Sequence, residues 1–156
     1  MMVFDIPGRL AVTISHVVLD FNGTIAKDGI LIPGVAEGIR DFSDRLTFHV
    51  ITADTFGSVE KQLQGIPARL TRISDHDQAR KKRDFITGLG AETCLCCGNG
   101  FNDRAMLENS ALGIAVLGAE GLNTRALAAA DLVINDILDL FGFLECPDRL
   151  RATLRD

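Results

Sequence analysis

Apolar and polar positions change period along the chain. Short apolar runs, rich in β-branched residues, read as strands over 16–20, 47–51, 93–97, 112–116 and 131–134, with a weaker one over 68–73. Between them the apolar spacing turns helical. Val35, Ile39, Phe42 and Leu46 share one helix face, which predicts an amphipathic helix over 35–46. Phe56, Val59 and Leu63 mark a short helix capped by Asp54 or Thr55. Asp75 or Asp77 caps a longer helix that runs to Leu89 and stops at Gly90. Further helices are read over 103–109 and over the Ala-rich 122–130, and a last helical stretch ends near Leu154.

Strands alternating with helices predict βαβ units: an α/β fold with a doubly wound parallel sheet and helices on both faces. No linker, internal repeat or low-complexity segment interrupts the alternation, so residues 1–156 read as a single core domain. In such a sheet, ligands bind at the carboxyl ends of the strands, near the switch in strand order.

Composition narrows the function classes. The chain of 156 residues is 47% hydrophobic and 24% charged, with a formal net charge of −5. These values fit a globular protein and exclude disorder. The acidic balance argues against nucleic acid as a partner, because phosphate contacts need basic surface. No apolar run is long enough to span a membrane, and the first residues do not read as a signal peptide. Cys94, Cys96, Cys97 and Cys146 do not form a disulfide framework, so a cytoplasmic location is expected. Cys94 and Cys96 share one strand face while Cys97 points the other way, which reads as core packing and not as a metal site. His16, His49 and His76 read as structural.

Chemistry-bearing residues gather at the strand ends. Asp20-Phe-Asn-Gly-Thr24 follows the first strand, Thr52-Ala-Asp54 the second, and Gly98-Asn-Gly-Phe-Asn-Asp103 the fourth. A carboxylate directly after an apolar strand, as Asp20 is, can be a metal ligand, base or nucleophile. Gly23 allows the tight bend beside it, and Thr24 adds a hydroxyl. Asp103 is a second carboxylate and, read blandly, a helix cap. Two carboxylates with carbonyls and waters suit Mg²⁺, and Asn99 and Asn102 can add amide oxygens or hydrogen bonds. In Arg80-Lys-Lys-Arg83, Lys82 falls on the apolar face with Ala79, Ile86 and Leu89. An inward lysine needs an anionic partner, whereas Arg80, Lys81 and Arg83 read as solvated.

These four segments, in this order, resemble the haloacid dehalogenase superfamily of phosphatases and phosphotransferases over about residues 16–135. The D-x-x-G-T form at Asp20 and the Gly-x-Gly-x-Asn-Asp loop look like the soluble P-type-ATPase-like members. The resemblance implies a Mg²⁺-dependent hydrolase of phosphate esters or anhydrides. Asp20 would be the nucleophile, forming an aspartyl-phosphate. Thr52 and Lys82 would hold phosphoryl charge, with Gly23, Thr24 and Ala53 in the phosphate-binding set. Asp20, the Asn22 carbonyl, Asp103 and Asn99 would surround the metal, supported by Asn102. Asn22 stands where many members carry the general acid and base, and Asn99 where many have Asp. A slow or specialised turnover follows, or a weakened phosphate-binding or regulatory module.

Asp20 and Thr52 are 32 residues apart and Thr52 and Lys82 are 30 apart, which leaves no room for a cap domain. An open site favours a large phosphorylated substrate or closure by a neighbouring subunit, so a homo-oligomer is expected.

Overall fold

The computed structural model describes residues 1–8, 11–54 and 58–156. Its first elements are an antiparallel pair, β1 (Met2–Phe4) and β2 (Val12–Ile14), followed by the strand β3 (His16–Asp20). A second antiparallel pair, β4 (Ala26–Lys27) and β5 (Ile30–Leu31), follows at once. Its turn residues Asp28 and Gly29 have φ of 51° and 75°, the two left-handed positions of a type I′ hairpin. Then come α1 (Val35–Phe42), β6 (Thr47–Thr52), α2 (Ser58–Gln62), β7 (Ala68–Arg72), α3 (Gln78–Leu89), β8 (Cys94–Gly98), α4 (Arg104–Asn109), β9 (Leu112–Val116), α5 (Thr124–Ala129) and β10 (Leu132–Ile134). Helices α6 (Leu138–Glu145) and α7 (Pro147–Leu154) close the chain.

The six-stranded sheet has the order β10-β9-β8-β3-β6-β7, and every pairing in it is parallel. The chain starts at central β3, moves outward to β6 and β7, and returns through α3 to β8 on the other side. The switch in order therefore lies at β3, between β6 and β8.

Alternation along the strands supplies two cores. Val17, Leu19, Phe48, Val50, Leu95 and Cys97 pack on one face, against Val35, Ile39 and Phe42 of α1, Leu140 and Leu144 of α6, and Leu150 and Leu154 of α7. Val18, Ile51, Cys94 and Cys96 pack on the other, against Ile86 of α3, Met106 and Leu107 of α4 and Ala126 of α5. The expected doubly wound sheet with helices on both faces is present. Between β3 and β6 lie only a hairpin and α1; among the described residues between β6 and α3 lie only α2 and β7. Among the described residues there is no cap domain.

Several boundaries differ from the sequence reading. Helix α1 stops at Phe42, because Ser43 and Asp44 are poor helix formers and the Ser43 hydroxyl donates to the Arg40 carbonyl. Leu46 still reaches the core from the following turn. The last helical stretch is two helices, since Pro147 cannot continue α6 but suits the first position of α7. Phe56 and Thr55, read as part of a short helix and its cap, lie outside the described residues. No described helix is long and apolar enough to cross a membrane.

Candidate functional site

Position along the sheet brings the polar strand ends together. Asp20 is the last residue of β3, Thr52 the last of β6, and Gly98 the last of β8. Register pairs Leu19 with Val50 on one side and Cys97 on the other, so the residues that follow meet at one edge. Helix α3 packs on the face that carries Val18, and Asp20 shares that face by period 2. Lys82 lies one helical turn before Ile86, on the same inward stripe.

Lys82 is fully buried and its ammonium bridges two carboxylates. Nζ donates to Asp20 Oδ1 at 2.5 Å and to Asp103 Oδ1 at 2.6 Å. The other oxygen of Asp103 accepts the backbone N–H of Asn99 at 3.0 Å and of Gly100 at 2.8 Å. Asp103 thus ties the β8 loop to α3. The Thr24 hydroxyl lies 3.4 Å from Asp20 Oδ2 and 3.2 Å from Asn99 Oδ1 and has one proton to share between them. The Asn99 amide nitrogen donates to the Gly121 carbonyl at 3.0 Å, which leaves its oxygen turned toward the Thr24 hydroxyl. Gly23 has φ +78°, and a Cβ there would lie 2.4 Å from the Asn99 amide nitrogen, so the turn after β3 needs glycine.

Two carboxylates share one ammonium, and the balance is electrostatically tense. Burial, then the charge of Asp103, raises the Asp20 carboxyl to about 7, against the pull of Lys82. Burial by itself would lower Lys82, but Asp20 and Asp103 outweigh it and hold the ammonium above its ordinary value.

A cavity of about 560 Å³ opens over this cluster, lined by Asp20, Asn22, Thr52, Ala53 and Asp54 together with Gln78, Asn99, Gly100 and Asn102. Of the residues singled out from sequence, Asp20, Asn22, Thr52, Ala53, Asn99 and Asn102 face it. Lys82 and Asp103 lie behind Asp20, and neither lines the cavity. Gly23 and Thr24 form the turn beyond, where they line a neighbouring cavity of about 480 Å³ under the β4–β5 hairpin. Asp54, read from sequence as a strand-end residue and a helix cap, lines the main cavity, and so does Gln78, which the sequence reading did not single out. The sign that Gln78 belongs there is its position four residues before Lys82, one turn up the same face.

Cys94, Cys96 and Cys97 are buried, and burial raises all three thiols, Cys94 to about 11. Among the described residues no group of three or more His, Cys, Asp or Glu is placed to hold a metal by itself.

No family model matches the chain. It is 42% identical over 62 residues to an uncharacterized protein of Methanocaldococcus jannaschii, a match covering 40% of this chain and 67% of that protein. A soluble P-type ATPase-like phosphatase of the same organism is 28% identical over 122 residues, covering 75% of this chain but only 44% of the relative. Among solved structures, the 3-deoxy-D-manno-octulosonate 8-phosphate phosphatase of Moraxella catarrhalis, determined with magnesium, phosphate and its sugar acid, superposes with a TM-score of 0.69 at 14% identity. That likeness covers 91% of this chain and 94% of the other.

Proposed function

This chain belongs to one family with that uncharacterized archaeal protein and has the fold of the haloacid dehalogenase phosphatases, and from this premise we propose that it is a phosphohydrolase acting through an aspartyl-phosphate on Asp20. The observation that carries the reading is one desolvated carboxylate at the switch point of the sheet, held by a buried lysine at 2.5 Å and open to a polar cavity. Asp20 attacks phosphorus; the bond to the leaving oxygen breaks and takes its electron pair with it. The Thr52 hydroxyl holds a phosphoryl oxygen, Lys82 supplies its positive charge from behind Asp20, and Asp103 keeps Lys82 charged and in place. Gly23 and Thr24 fix the turn that aims Asp20.

The donor set suits magnesium. Asp20, the Asn22 carbonyl and the oriented Asn99 amide oxygen are hard ligands, and the Asp20–Lys82–Asp103 triad has one negative charge in excess when both carboxyls are ionised. When bound, the cation would neutralise charge on the phosphoryl oxygens. Asp103 contributes its charge from behind, since its oxygens already accept from Lys82 and two backbone N–H groups.

Asn22 faces the cavity and can neither give nor take a proton at neutral pH. Phosphate groups whose leaving oxygen needs no protonation, such as aryl esters, acyl phosphates and anhydrides, are therefore the favoured substrates. The decisive assay is magnesium-dependent hydrolysis of an aryl phosphate by the wild type and by Asp20→Asn. Turnover in the wild type that vanishes in the variant is expected; turnover surviving in Asp20→Asn overturns the assignment. Asn22 and Asn99 also favour a second reading, a module that binds phosphate and magnesium without turnover. Binding of beryllofluoride with no hydrolysis of any ester would select it.

A further inference from the structure

Hydrolysis of an aspartyl-phosphate needs an oriented water, and at the position of the usual base this chain has Asn22. Another amide, that of Gln78, lines the cavity onto which Asp20 opens. Gln78 opens α3, four residues before Lys82, so it sits one turn above the ammonium that holds Asp20. It is half-buried and lines the same cavity as Asp20 and Asn22. Its side chain is held at both ends. Asn102 Nδ2 donates to Gln78 Oε1 at 2.6 Å, and Gln78 Nε2 donates to the Asp75 carbonyl at 3.3 Å. Both assignments agree on one amide orientation, and Oε1 keeps a second lone pair.

We propose that Gln78 is a catalytic residue of the second half-reaction, positioning the water that hydrolyses the aspartyl-phosphate; this rests on the phosphohydrolase reading above. The water donates one O–H to Gln78 Oε1, which leaves a lone pair for phosphorus. A bond forms between the water oxygen and phosphorus, and the bond from phosphorus to the Asp20 oxygen breaks, its electron pair returning to the Asp20 carboxylate. Both water protons stay with the phosphate, so the acyl phosphate dianion becomes a carboxylate and dihydrogen phosphate, and charge balances. Gln78 takes no proton. Asn102 is the positioning residue that aims the amide, and this gives the residue next to Asp103 a role of its own.

Labelled aryl phosphate and rapid acid quench separate the two half-reactions in the full-length chain. Asp20→Asn serves as the control for the label's site. In Gln78→Ala, phosphoenzyme should form within about twofold of the wild-type rate. Steady-state turnover should fall about tenfold, the rate equivalent of one hydrogen bond, and labelled phosphoenzyme should accumulate. Gln78→Glu keeps the acceptor for Asn102 and adds a base, so its phosphoenzyme should decay at least as fast as the wild type's, faster as pH rises. If Gln78→Ala slows formation and decay equally, the residue only supports α3 and Lys82, and the proposal falls. Unchanged decay in both variants also overturns it. A wild type that turns over but never carries label sensitive to Asp20→Asn overturns the aspartyl-phosphate reading itself, and this proposal with it.

Discussion

In the proposed reaction, Asn22 and Lys82 set opposite limits on what Asp20 can do. Lys82 would keep a buried carboxylate usable; Asn22 would withhold the proton that a poor leaving group needs. Asn22→Asp should raise the turnover of alkyl phosphates toward that of aryl phosphates, by up to about 10²-fold. A series of esters with graded leaving-group basicity checks this, and a slope that does not flatten in the variant contradicts it. Removing Lys82 strands Asp20 and Asp103 together with no cation. Lys82→Met should cost about 3–5 kcal/mol of stability at neutral pH, read by urea unfolding.

At the scale of elements, the site is a junction of three: the end of β3, the first turns of α3 and the loop after β8. Asp103 ties the last two, and the Gln78–Asn102 bond ties them again one turn higher. Packing beneath the junction is close. A Cβ on Gly113 of β9 would lie 2.3 Å from the Leu107 carbonyl oxygen in α4, a backbone atom that cannot swing away. Gly113→Ala should therefore destabilise the fold by about 1–3 kcal/mol in denaturant unfolding, although the residue is outside the cavity. The short β4–β5 hairpin is pinned across the sheet edge by the Asp28 N–H donating to Glu120 Oε1 at 2.8 Å. That contact joins the β4–β5 turn to the loop after β9.

For the molecule as a whole, the histidine pair beneath the sheet adds a pH dependence away from the site. His16 Nδ1 lies 3.1 Å from His49 Nε2, and the His49 ring packs edge-on against Phe85. Burial, then His16 and Arg69, lower His49 to about 4, and burial with Arg69 lowers His16. The unfolded chain binds these protons more readily, so the histidine pair's contribution to stability should rise with pH between 4 and 6.5, opposite in sign to that of Asp20, whose raised carboxyl stabilises the fold as pH falls below 7. The His49 share is at most about 3 kcal/mol. The loss of stability in His49→Gln relative to wild type, compared between pH 7 and pH 4.5 by urea midpoints, isolates it from the Asp20 contribution. The proposed magnesium site lies at the opposite edge of the sheet. A saturating concentration, about 100 times Kd, should add about 2.7 kcal/mol and raise Tm, an effect absent in Asp20→Ala. The open cavity also fits closure by a second copy of the chain; a homo-oligomer in light scattering is the expected result, and a monomer at micromolar concentration removes it.

Alternating periods in the sequence determined the parallel sheet, its helices on both faces and the inward turn of Lys82, because burying an apolar face is a local pattern with a global solution. Turn chemistry and spacing marked Asp20, Thr52 and the Asn99–Asp103 loop as strand-end residues. The two antiparallel pairs are not legible in the sequence because strands of two or three residues are too short to show alternation. Which oxygens face the cavity was decided only by tertiary structure. Asp103 turns away because Lys82 and two backbone N–H groups meet it from α3 and its own loop, and Gln78 faces in because α3 crosses over the switch point. Side-chain partners such as these are set by residues distant in the chain, and no spacing rule encodes them.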